Sequence, residues 1–390
     1  NPTLRMTAQI FHSLGFFWAR ETGMYDLDDH NIVPRFGRND TIHNDLDNWR
    51  TWAARETQLR ALLGHYVLDG QISQYTGGPT CQKHTTNVLH LPASDEVFAA
   101  PTFEQWASKA RPDRPHHVPL WQFFSSMFSA HVHIKHLGTS LSALGASVVL
   151  EGIRSLIADA HAAPGAVVGS PSSSDISFAL SRFYKLVISS TLMTAAEKLQ
   201  IKLRWHALVI DAALDYNRFC HNLCHKFKVR QGMFRGRRED KDFDLEKWAS
   251  SASGRRSLLS ATAIHDALNS LPFGNTQTIH LAASVFTGAT VYCGMLLSGI
   301  RTISVPQVCD WESILMLGDN CDTLFDAGTD DGFRRFLGGA TVPQGVLKNL
   351  RYDMSLFTMS LGNIANIWGV SIEMHQVLQK LLLAANSMDT

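Results

Sequence analysis

The chain has 390 residues, 45% of them hydrophobic, enough to bury a large core; one large helical domain or two fused ones both fit that length. Its 35 Lys and Arg balance 35 Asp and Glu, so the formal net charge is zero and the basic excess of a nucleic-acid-binding module is missing. The six cysteines (Cys81, Cys220, Cys224, Cys293, Cys309 and Cys321) are too few and too scattered for a disulfide scaffold, which argues for a reducing compartment.

Helical periodicity dominates and no series of alternating strands appears. The expected class is all-α: a large multi-helical domain of packed amphipathic helix hairpins joined by long loops. The chain begins at Asn1 without a signal-peptide pattern and reads as a fragment of something longer. Its first strong pattern is Trp49-x-x-Trp52-x-x-x-Glu56-x-x-x-Arg60. Trp52, Glu56 and Arg60 are four apart and share a helical face, with Glu56 and Arg60 as an i,i+4 acid-then-base couple. An apolar run leads to Leu68-Asp69, Ser73 lies about one turn on, and Gly77-Gly78-Pro79 stops the helix. The segment holds no nucleophile–base pair and no metal-ligand spacing.

Further along, Pro92, Pro101, Pro112, Pro115 and Pro119 mark a long connection with one short helix around Phe103 to Ala110. His116, His117, His131, His133 and His136 surround an aromatic run, Trp121, Phe123, Phe124 and Phe128. Helix-surface and core imidazoles are the plain reading, a pH-sensitive or ligand-lining role the alternative. The small, uncharged stretch Ala162 to Ser174 predicts a mobile surface loop, placed at 161–175, between two helical regions, residues 1–160 and residues 176–390. Ile201, Trp205, Leu208, Ala212, Tyr216, Phe219, Leu223 and Phe227 predict one amphipathic helix, with Lys202, Arg204, Asp211, Asp215 and Arg218 opposite. Within it, Cys220, His221, Cys224 and His225 form two i,i+4 pairs. No second half of a four-ligand zinc site is evident, so buried thiols are the plain reading.

The charge-dense stretch from Lys226 to Lys247, basic at Arg230, Arg235, Arg237 and Arg238 and acidic from Glu239, marks a second connection. Leu281 to Ile300 carries no charged residue, but its Ser, Thr and Gly content points to a buried core helix and not a membrane span. Ile364, Ile367, Trp368, Ile372 and Leu378 predict another apolar stripe. Asp28-Asp29 and Asp330-Asp331 are isolated acid pairs without the spacing of an Asp-rich magnesium site, and the nucleophile-elbow, zinc-protease, P-loop and dinucleotide signatures are missing.

With these residues in view, the chain resembles the fungal-specific transcription factor domain, or middle homology region. Trp52, Glu56, Arg60, Leu68-Asp69, Ser73 and Pro79 follow that family's pattern in order, after Phe11-His12-Ser13-Leu14-Gly15 as its preceding helix. Trp49 with Trp52 is most similar to the subset linked to a pair of two-Cys, two-His zinc fingers. Trp248, Gly254-Arg255-Arg256 and His280 are similar to its later helices. The chain departs from the pattern at Leu59, where a second Arg is common, and at Gly64-His65-Tyr66, where the aromatic is shifted. The similarity is strongest over about residues 1–110 and weaker across 200–300.

The resemblance implies a single regulatory domain over 1–390, severed from its DNA-binding module and working in the nucleus. It implies no catalysis, DNA contact only through the missing module, and zinc only there. It leaves open a small-molecule effector, a coregulator protein or a homodimer as partner, with no membrane. Glu56, Arg60 and Asp69 read as an ion network joining consecutive helices; alternatively they receive an effector or partner. Trp311, Met316, Met354, Met359 and Trp368 read as core, or alternatively as the lining of an effector cavity. The rival functions are an all-α enzyme using a metal or cofactor and a ligand-free dimerisation scaffold.

Overall fold

The computed structural model describes residues 2–26, 42–76, 78–84, 87–110, 119–132, 141–162, 171–233, 242–272, 278–317 and 332–388. Expectations for Asp28-Asp29, Gly77, Pro112, Pro115, His116, His117, His133, His136, Arg235, Arg237, Arg238, Glu239, Cys321 and Asp330-Asp331 lie outside the described residues, as does most of the loop expected over 161–175. The fold is all-α, with one two-stranded ribbon. The chain divides into two compact units: Asn1–Gln74, Gly78–Ser155 and Lys185–Thr194 form the first, and Tyr75–Gly77, Leu156–Tyr184 and Ala195–Thr390 the second.

The first unit is built from α1 (Pro2–Glu21), α2 (Ile42–Thr76), α3 (Asp95–Phe98), α4 (Phe103–Lys109), α5 (Leu120–Phe128) and the start of α6 (Ala143–Ala162). The motif segment is therefore one long helix, α2. Glu56, Arg60 and Asp69 lie along it and not on consecutive helices, because no proline interrupts residues 42–76 and the helix runs through Gly64 and Gly70. Trp52 packs on Trp106 of α4 with ring centroids 5.2 Å apart, and Trp49 and Phe103 close that small cluster.

The second unit holds most of α7 (Ser173–Ser189), then α8 (Ala195–Ala213), α9 (Tyr216–Lys226), α10 (Leu245–Ser250), α11 (Ala252–Asn269) and α12 (Leu281–Leu297). Strand β1 (Thr302–Val305), α13 (Trp311–Met316), α14 (Gly332–Leu337), β2 (Val346–Asn349), α15 (Leu350–Ile364) and α16 (Val370–Ser387) complete it. The strands pair antiparallel, Thr302 with Asn349 and Val305 with Val346. At four residues each they are too short to show the alternation that announces a strand.

Helix α12 is the centre of this unit: it packs against α8, α11, α15 and α16, and all of its residues are buried. Its hydroxyls tolerate burial because Ser284, Thr287 and Thr290 each donate to the carbonyl four residues back, at 2.8–3.0 Å. Gly294 is required by close packing. A Cβ there would stand 2.8 Å from the Phe219 ring and 3.1 Å from that of Trp248. Among the described residues, no helix is long and apolar enough to cross a membrane.

Both expected stripes are corrected. The helix expected through Ile201–Phe227 breaks at Leu214-Asp215, where Asp215 caps α9 by accepting from the Arg218 amide at 3.3 Å and Asp211 accepts from the Tyr216 amide at 3.1 Å. Helix α8 is buried nearly all round, and Arg204, expected on the polar face, is only 1% exposed. Near the C-terminus α15 ends at Ile364 and α16 starts at Val370, so the spacing runs across a turn, and Ile367 and Ile372 are each half exposed.

Candidate functional site

The signature residues of α2 form two clasps on the segment that follows the helix. In the first, Glu56 and Arg60 grip both backbone groups of Ala93. The Ala93 amide donates to Glu56 Oε1 at 2.9 Å, and Arg60 Nη2 donates to the Ala93 carbonyl at 2.7 Å. Arg60 Nε also donates to the same Glu56 oxygen at 2.9 Å, Nη1 donates to Asp95 Oδ1 at 2.7 Å, and the guanidinium lies 4.2 Å over the Phe98 ring. This satisfies most of the guanidinium's donors while the acid, 6% exposed, stays paired. Burial pushes the Glu56 carboxyl up, and the Arg60 charge and the two hydrogen bonds pull it back only in part.

In the second clasp Asp69, 2% exposed, accepts from the amides of Cys81 at 2.7 Å and Gln82 at 3.1 Å through Oδ2. Its Oδ1 lies 3.2 Å from His12 Nε2 of α1. Burial opposes ionisation of Asp69, but hydrogen bonds from His12, the Gln82 amide and the Cys81 side chain outweigh it and hold the carboxyl below its usual value. Ser73 donates to the Gly78 carbonyl at 2.6 Å, fixing the turn into Pro79. Arg60 and Asp69 do not pair; each serves a different stretch of backbone. Leu68 is 39% exposed and anchors nothing in the core.

Three residues without a sequence signal complete this framework. Gly70 of α2 passes so close to Glu151 of α6 that a Cβ would collide with its carboxylate. Glu151 accepts in turn from Arg154 Nε, and both are buried. The arrangement holds polypeptide in place, and the exposed thiol beside it, Cys81, has its pKa raised by burial.

Cys220 and Cys224 of α9 face the core, while His221 is half-buried beside Gln231 and His225 is exposed. Their hydrogen bond to each other and their burial push the Cys220 thiol well up, against the deprotonation a metal ligand needs. Among the described residues, no group of three or more His, Cys, Asp or Glu is placed to hold a metal ion. Met354 is core, whereas Met359 and Met316 are exposed; Trp311 packs on Trp205 and His206, at 5.8 and 4.6 Å between centroids. Buried His206 is kept neutral by burial and by nearby Lys202, its pKa pushed down to about 3.

The second unit contains a cavity of about 310 Å³ between α6, α7, α8, α11 and α13. Ile157, Ile176, Val209 and Leu315 give it apolar walls, and Met316 is the one residue of the expected lining found there. Its polar lining is Arg256, His161, Ser173, Ser174 and Ser177. The size lies at the lower end of small-molecule sites, which are mostly apolar with a few placed polar groups. No protein-family model, no curated protein and no solved structure matches the chain.

Proposed function

We propose that this chain is the regulatory domain of a fungal transcription factor, of the subset whose DNA is bound by a separate pair of two-Cys, two-His zinc fingers. It works in the nucleus, coupling a signal to transcription without catalysis. The observation that carries the reading is the joint action of the signature residues. Trp52, Glu56, Arg60, Asp69 and Ser73, which match the family pattern in order, all fasten α2 to the chain that follows it. The cavity gives the signal an entry point, and a ligand there shifts output by binding one conformation better than another.

The test is to fuse residues 1–390 to an unrelated DNA-binding domain and read a reporter in a fungal host across growth conditions. Output that departs from the DNA-binding domain alone, and changes with condition, supports the reading. Output identical to that control in every condition overturns it. A second reading, a ligand-free dimerisation scaffold, is favoured by α1. There Met6, Ile10, Phe11, Phe17 and Trp18 are each more than half exposed, forming a stripe opposite buried His12, Phe16 and Ala19. Sedimentation at micromolar concentration decides it: a monomer removes the scaffold reading.

A further inference from the structure

Helix α1 is fastened on one side and open on the other. On the fastened side His12 Nε2 lies 3.2 Å from Asp69 Oδ1. His65 of α2 stacks on Phe16 at 4.0 Å between ring centroids and meets the His12 ring edge-on at 4.1 Å. With that side held, the other cannot turn inward. Around it, at 3.6 residues per turn, Met6, Phe17, Ile10, Leu14, Trp18 and Phe11 follow one another over about 140° of the circumference, with Thr7 the one polar residue among them. All six except Leu14 are more than half exposed. No Asp, Glu, Lys or Arg occurs from residue 6 to residue 19, whereas a helix that faces water carries charge on its outer side.

The five exposed side chains leave about 600 Å² uncovered, at the upper end of the apolar patches that monomers display. Laid against its own copy across a two-fold axis, the stripe buries roughly 1,200 Å², the area at which stable specific interfaces begin. We infer that the α1 stripe is the face through which two copies of this chain associate. A lipid surface suits it poorly, because helices that lie on membranes carry Lys and Arg beside the apolar face. Unlike partner chains select each other through complementary charge, and this face has none; a two-fold contact asks only that one shape match itself. Association through α1 gives the scaffold reading its surface and rests on it, while the regulatory reading holds or fails independently.

Sedimentation velocity of the purified chain from about 1 to about 100 µM tests it, and a dimer is expected by roughly 10 µM. Ile10→Glu combined with Phe17→Glu sets like charges against each other across the contact and is expected to weaken association about a hundredfold. Both positions are exposed, so the melting curve of that variant should match the native one. Leu383→Glu, at a comparably exposed apolar position on α16, should leave the dimer unchanged. Should the double variant fail to fold, the native chain decides: amide exchange over residues 6–18 slows with concentration as the mass rises. A monomer throughout, a dimer that survives the double substitution, or a dimer without slower exchange over 6–18 would each overturn the inference. A monomer that binds anionic phospholipid vesicles assigns the stripe to a lipid surface instead. A dimer through α1 whose reporter responds to growth conditions keeps the interface and loses the ligand-free scaffold; a responsive monomer loses both and keeps the regulatory reading.

Discussion

Helix α2 of the first unit buries charge, and α12 of the second unit buries none. Along α2, Glu56 and Asp69 are inside, and each directs its oxygens to backbone amides of the segment that follows. Along α12 every side chain is inside, and small residues such as Gly294 let neighbouring rings approach. The difference lies in what each helix organises. A loop-rich segment has unpaired backbone groups that need fixed polar partners, whereas a bundle of helices has satisfied its own and needs only shape. Charge on α2 therefore specifies architecture.

This contrast breaks most readily at Asp69. Asp69→Ala strips the Cys81 and Gln82 amides and His12 of their acceptor, and is expected to cost about 4 kcal/mol in chemical denaturation. A loss under about 1 kcal/mol would mean the clasp is ornamental.

Acidification separates the two regions next. The folded pKa of His206 is depressed to about 3, so its contribution is complete above the unfolded value near 6.5 and is lost as pH falls from there. The loss is expected to reach about 3 kcal/mol by pH 4. Asp69, also depressed, contributes above the usual carboxylate pKa and loses its share only below about pH 4. Glu56 is raised, so its share is complete at low pH and declines as pH rises through its folded value. Stability measured from pH 7 to 4 should fall in the native chain, and His206→Phe should flatten the fall.

A smaller effect is expected at Gly294→Ala, which drives a methyl into the Phe219 and Trp248 rings, at about 2 kcal/mol in denaturant melts. The smallest is Leu68→Ser. Although Leu68 belongs to the sequence pattern, it is exposed, and the change should stay within about 0.5 kcal/mol.

What is legible in the sequence follows the range of the interactions. The Trp52–Glu56–Arg60 spacing is readable because i,i+4 neighbours on a helix meet whatever else the chain does. The all-α class, the uncharged core helix at Leu281 and the short helix at Phe103 are readable for the same reason. Asp69 is visible as a motif residue, but its partners are not, since backbone amides at Cys81 and Gln82 leave no mark in residue identity. The contact of Gly70 with Glu151 joins residues eighty-one apart and has no periodic signal. The break between α8 and α9 does have one: Asp215 three before Arg218 is a helix-cap position, masked by the continuous apolar spacing on either side. The cavity draws its walls from five helices and appears only when they are assembled.

The signature charges of α2 hold the following segment in place, and amide hydrogen exchange of Arg60→Ala against the native chain tests this most directly. Loss of protection by tenfold or more over residues 89–98, with α11 and α12 unchanged, is the predicted result. Unchanged protection over 89–98, with regulatory output lost in the reporter, would contradict it and assign Glu56 and Arg60 to a partner or effector instead.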